Sequence, residues 1–157
     1  MSAVASPPGE GPVHEVVTTL EFPYMRSLGP VIGAFFEGLR DAQITGVRTT
    51  AGRVLVPPLE HDPDTGEAVQ PGSVPVGPGG EVLSWTWVEH PLDTHPCRHP
   101  FAFALIRLDG ASTALTHVVE AAGATEMRCG MRVVPRWRED RQGRITDIEA
   151  FVAEPSS

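Results

Sequence analysis

Residues 90–99, HPLDTHPCRH, place His90, His95, Cys97 and His99 in one short stretch. That density of imidazole and thiol can hold a soft transition metal if the loop folds inward. The spacing fits no zinc pattern, and Pro91, Pro96 and Pro100 mark an irregular connection between strands, so no metal is expected there. Cys97 also has histidine neighbours, the pairing that thiolate acyl transfer requires, but adjacency in sequence supplies neither a lowered pKa nor a positioned base. Cys129, beside Gly130 at a strand entrance, reads as a small buried residue. His90, Asp93 and His117 could be invoked as the proton-moving groups of an independent enzyme. Nothing in their spacing fixes a common geometry, and no catalytic residue is assigned.

Two further groups of side chains can bind a ligand. Along EVLSWTWVEH, strand alternation puts Leu83, Trp85 and Trp87 on one face and Val82, Ser84, Thr86 and Val88 on the other. Core packing accounts for the aromatic face, with a platform for a partner or an adenine ring as the alternative, which Phe101 and Phe103 can join. All 12 basic residues are arginines, so lysine chemistry is excluded. Half of them lie between Arg128 and Arg144, with Arg132, Arg136 and Arg138 on one face of a strand. These can meet CoA phosphates, but Asp147 and Glu149 on the following strand are placed to pair with Arg136 and Arg138. Arg128 and Arg132 are less accounted for. The candidate ligand-binding residues are therefore Trp85, Trp87, His90, Arg128 and Arg132.

The elements that must position these groups follow from composition and period. With 157 residues, 16 Gly and 16 Pro, the chain suits a single turn-rich core with an appendage. Residues 1–13 have the composition of a disordered tail. From Ser27, SLGPVIGAFFEGLRDAQ spaces Val31, Phe35 and Leu39 as a helix, with Pro30 in its first turn, and Ile32 and Phe36 widen the apolar stripe. A short helix this apolar must pack on something, and the five residues are expected to bind a partner subunit. Residues 46–79 read as a hairpin-like connector with little core, then a Pro/Gly-rich linker. Five strand signals follow, EVLSWTWVEH, FAFALIRLDG, STALTHVVE, MRVVPRWRE and RITDIEAFVA, with AAGATEMRCG between the third and fourth. Three strands, a short helix and two strands match an OB barrel, with an open sandwich as the alternative.

The GPVIGAFFEGLRD helix, the GRVLVPP segment, the DPDTGE turn and the strand-rich C-terminal half occur together in this order. The chain thereby resembles domain-of-unknown-function family thirty-five, a zinc ribbon joined to an OB fold. The resemblance spans about residues 22–153 and is strongest over Gly29–Gly66 and Gly130–Trp137. It implies a helical arm over residues 14–45, a ribbon-like connector over 46–79 and an OB domain over 80–154. It also implies an accessory subunit of a thiolase, of a sterol-carrier-type thiolase-like aldolase, or of an enoyl-CoA hydratase-like protein, in steroid, aromatic or isoprenoid acyl-CoA metabolism. The family's two Cys-x-x-Cys knuckles are replaced here by Thr49-Thr50-Ala51-Gly52 and by Asp62-Pro63-Asp64-Thr65-Gly66. Residues 46–72 contain no Cys and only His61, so the ribbon is expected to be degenerate and zinc-free. Asp62 and Asp64 lack the later ligands of a calcium loop and are expected to close a turn instead, Asp62 together with Thr65.

The fold class expected is mainly β: a five-stranded OB-like barrel preceded by a helical arm and a degenerate ribbon. The function expected is a non-catalytic, cofactor-free subunit that binds a thiolase-like or aldolase-like enzyme as a hetero-oligomer and helps form its acyl-CoA site. A module for single-stranded nucleic acid is the competing reading, and the formal net charge of −8 weighs against it. No secretory or membrane-spanning pattern is visible, so a cytoplasmic location is expected, with both cysteines as free thiols.

Overall fold

The computed structural model describes residues 27–155 and Thr19. The expected tail over residues 1–13, and residues 14–26 of the expected arm other than Thr19, lie outside this range. Helix α1 (Gly29–Arg40) has Pro30 in its first turn, where no intrahelical N–H is needed, and buries Val31, Phe35 and Leu39. Three short strands follow: β1 (Thr45–Arg48), β2 (Val54–Leu55) and β3 (Val74–Pro75), an antiparallel sheet in the order β2-β1-β3. A Cβ at Gly46 would lie 2.7 Å from the Leu55 carbonyl oxygen, so only glycine lets these backbones approach so closely.

This small sheet corrects the reading of residues 46–79 as a connector with little core. Val47, Leu55 and Val69 form a buried cluster with Val31 of the helix. Its outer turn closes as expected, Asp64 N–H donating to Asp62 Oδ1 (3.0 Å) and Glu67 N–H to Thr65 Oγ1 (3.2 Å). Arg53 pairs with Asp64, so those carboxylates face a cation of the chain itself.

The rest is a closed barrel. Strands β4 (Gly80–Val88), β5 (Phe101–Leu108), β6 (Leu115–Val119), β7 (Arg132–Trp137) and β8 (Ile148–Ala153) run in the order β4-β5-β6-β8-β7. β6 lies parallel to β8 at Val119↔Phe151, and β7 closes the ring on β4 at Gly80↔Val133 and Glu81↔Arg132. A 3-10 turn at Ala124–Glu126 fills the helical position between the third and fourth barrel strands. A second, Ile145–Asp147, replaces the expected start of the fifth strand.

The barrel interior corrects the expected facing of β4. Val82 pairs with Ile106, but the register slips between Val82 and Ser84, after which Trp85 pairs with Ala104 and Trp87 with Ala102. One extra residue at Leu83 inverts the side-chain alternation. Val82 and both indoles thus share the core with Ile106, Leu108, Val133 and Phe151. Ala102 and Ala104, opposite the indoles, are small enough to leave them room.

Helix α1 packs on this core. Phe35 and Leu39 join the barrel cluster, with Phe36 half-buried against it and its ring edge-on to Phe35 at 5.4 Å. Val31, Phe35 and Leu39 are therefore covered by the chain itself, which corrects their expected role as partner-binding residues, and only Ile32 and Phe36 of the five keep an accessible surface. Phe36→Asp should destabilise the isolated chain by about 1–2 kcal/mol, because a charge replaces a packed ring. A lower urea midpoint at unchanged slope would register this. An unaltered midpoint would show that the ring contributes nothing to packing.

Candidate functional site

The outer face of β5 and β6 carries exposed apolar side chains. Leu105 is 36% exposed and Ile145 38% exposed, both high for large hydrophobic side chains. Phe103 and Thr116 line two adjoining grooves and join them into one strip. One groove, of about 400 Å³, runs past Trp85 and Leu105. The other, of about 210 Å³, runs past Pro96, His117, Val118, Ile145 and Ile148, with Arg138 and Glu149 among its lining residues. The strip is bounded by the loop between β4 and β5, which supplies Pro96, and by the loop between β7 and β8, which supplies Ile145 and Thr146. In an OB barrel this face, with these two loops, is where ligands and partners are held.

The loop over residues 138–147 is fixed by one carboxylate. Asp147 is 2% exposed and accepts backbone N–H bonds from Gln142 (3.1 Å), Gly143 (2.7 Å) and Arg144 (2.9 Å). Burial pushes its pKa up, but those donors, with the Arg141 charge nearby, outweigh burial and hold it below the ordinary Asp range. This corrects the expected Asp147–Arg138 ion pair: Arg138 Nε instead donates to the Thr146 carbonyl at 2.8 Å. Gly143 has φ +75°, and a Cβ there would sit 3.0 Å from the Phe36 carbonyl oxygen, so the loop abuts helix α1.

His117 forms the floor of the smaller groove. Its ring lies edge-on to Phe151 at 5.5 Å, and Nε2 is 3.4 Å from the Ile145 carbonyl oxygen. Nδ1 is buried with no hydrogen-bond partner among the described residues. Burial lowers the pKa of the ring, and the neutral form prevails near neutral pH. Cys97 is buried, and burial followed by the Glu120 charge raises its thiol pKa, the opposite of what a nucleophile needs.

The candidate residues are not gathered into one site. Trp85 and Trp87 are half-buried on the core, and Trp87 Nε1 donates to Glu89 at 2.6 Å. His90 is exposed on the loop after β4. Arg132 is paired with Asp109 (2.7 Å) and Glu154 (2.9 Å), contacts that raise its already high pKa. Arg128 and Arg132 share a groove with Glu126 and Glu154, which offset their charge. At about 3.3 Å per residue, Gly80, beside β7 near Arg132, and Trp87 are roughly 23 Å apart along β4. Arg136 does pair with Glu149 (2.7 Å), as expected, and also with Glu120 (2.9 Å). Cys129 is exposed, not buried, because it sits in the turn ahead of β7. Leu105, Ile145 and Asp147 went unnoticed as site residues. The alternation of FAFALIRL was the one available signal, since it leaves Leu105 pointing outward.

Fold and site define the class: a closed five-stranded OB barrel with an apolar strip across β5 and β6 and a helix packed on its core. Residues 73–138 match the family model for the ChsH2 C-terminal OB-fold domain. Two solved structures share the fold. One is a protein of unknown function from the DUF35 family of Sulfolobus solfataricus, 19% identical, with TM-score 0.61, covering 80% of this chain and 87% of that one. The other is an Ltp2-ChsH2(DUF35) aldolase, 23% identical, with TM-score 0.57, covering 76% of this chain and 91% of that one. No curated protein matches the chain. Together these findings show an OB fold shared with the two solved structures. Among the described residues, no helix is long and apolar enough to cross a membrane.

Proposed function

We propose that the chain is a non-catalytic accessory subunit, which docks its barrel face on a thiolase-like or aldolase-type enzyme and helps form that enzyme's acyl-CoA site. The observation that carries this reading is the apolar strip from Trp85 and Leu105 through Phe103 to Ile145. A strip of this kind with a polar margin is the anatomy of a protein interface. The likeness to the Ltp2-ChsH2(DUF35) aldolase supports an aldolase-type partner. Ile32 and Phe36 extend the docking surface, because α1 adjoins the loop that carries Ile145. The complex is a cytoplasmic hetero-oligomer of steroid or other lipid acyl-CoA degradation.

Gentle recovery of the tagged chain from its native host, with identification of the large subunit that accompanies it, tests the reading. A thiolase-like or aldolase-type enzyme in stoichiometric amount supports it, and recovery of the chain alone counts against it. Binding to single-stranded DNA or RNA is expected to be absent or abolished by moderate salt, because Arg132 and Arg136 already face carboxylates. Sub-micromolar affinity for a single strand at physiological salt would instead make the strip a base-stacking platform.

A further inference from the structure

The side chains of Cys97, His99 and Glu120 converge beside the β4–β5 loop, at the end of β6. One ligand atom from each lies within 4.8 Å of the other two. Cys97 is buried with Phe101, Val118 and Ala150, which fixes its position, whereas His99 is on the exposed side of the loop and free to adjust. Tetrahedral zinc, with bonds of about 2.0–2.3 Å, needs its ligands roughly 3.3–3.8 Å apart, so a closing of about 1 Å completes the geometry. Glu120 is already oriented: Arg136 holds one of its oxygens at 2.9 Å, and His99 Nε2 is 3.4 Å from the same atom.

From this arrangement we infer that Cys97, His99 and Glu120 form a site for a borderline-soft divalent metal, zinc or cobalt, with a fourth position open to water. Thiolate, imidazole and carboxylate together select such ions over magnesium or calcium. Charge supports the assignment. Glu120, Glu149 and a Cys97 thiolate carry three negative charges against the two positive charges of Arg136 and Arg138, and a divalent ion offsets the remaining negative charge. The thiol gives up its proton on binding. His95 takes no part, since its Nδ1 accepts from the Leu92 N–H at 3.1 Å and its ring packs against Phe101 and Phe103. His90 lies outside the cluster. The site is distinct from the ribbon position, where no thiol remains, and it would pin the loop carrying Pro96 along the apolar strip.

The test is titration of the purified full chain with cobalt(II), followed by absorption. One equivalent should bind in four-coordinate form, with a thiolate-to-cobalt charge-transfer band that zinc displaces. Cys97→Ser should abolish the band and Cys129→Ser should leave it intact. His99→Ala, at a side chain 59% exposed, should weaken binding by more than the roughly 10–100-fold that loss of even an outer-shell partner costs. Absence of a charge-transfer band with the wild-type chain would overturn the assignment. So would a band that survives Cys97→Ser or is lost with Cys129→Ser, or affinity unchanged in His99→Ala.

Discussion

Asp147→Ala should cost the isolated chain about 2–3 kcal/mol, because three backbone N–H groups lose a charged acceptor in a site largely shielded from water. For a chain of this size, that is a fall of roughly 4–12 °C in melting temperature. Asp147→Asn should recover part of the loss, since its carbonyl oxygen still accepts some of the bonds. The pH dependence has a definite sign. A carboxyl whose folded pKa is depressed contributes stability that is fully present above the unfolded value, near 3.9, and fades as pH falls through the folded value. The gap between wild type and Asp147→Asn should therefore be widest near neutrality and narrow in acid below about pH 4. Urea unfolding of both proteins at several pH values measures it. A gap independent of pH would mean that the ionised carboxylate contributes nothing beyond what the amide supplies.

Leu105→Asp and Ile145→Asp, in contrast, should leave the isolated chain folded while breaking the proposed complex. Both side chains are more than a third exposed, so an added carboxylate is solvated in the free subunit and desolvated only against a partner. Interface anchors of this kind are typically worth 2 kcal/mol or more, so each variant should weaken binding to the large subunit by at least about 30-fold. Co-purification and calorimetry with the recovered partner read the loss, and circular dichroism of the free chain provides the folding control. Wild-type affinity in both variants would move the docking surface away from β5 and β6. Phe36→Asp, which should perturb folding and docking together, is the less informative probe.

The barrel was legible because its strands advertise themselves: FAFALIRL is apolar at every position but Arg107, and the observed strand occupies those eight residues. Helix α1 was legible for the same reason, through Val31, Phe35 and Leu39. What could not be read was anything set by a single inserted residue or by two distant segments meeting. The bulge at Leu83 has no compositional mark, yet it reverses the facing of Trp85 and Trp87. Asp147 lies two residues before Glu149, and simple alternation puts both on one face. The 3-10 turn ends that alternation and turns Asp147 inward to the backbone of its own loop. The cover for Val31 was missed because Val47, Leu55 and Val69 lie in a segment dense with turn residues. Glu120, twenty-one positions beyond His99, reaches Cys97 through the antiparallel pairing of β5 with β6, which sets Ala102 against Val119, so the loop's histidines drew attention while the acidic partner did not.

The strand order also sets when this protein can fold. β8 follows the other four barrel strands in sequence, yet it is inserted between β6 and β7 and pairs with both. Until it leaves the ribosome, those two neighbours each present an unpaired edge, the arrangement most prone to joining another chain. The seam between β4 and β7 is short, with only two paired positions, so it offers little to hold a partly made ring together. Closure of the barrel therefore rests on two small pairings between strands distant in sequence, β6 with β8 and β4 with β7, and these should form after the hairpins. A binding partner that reached the nascent chain early would meet exposed strand edges before it met the finished face.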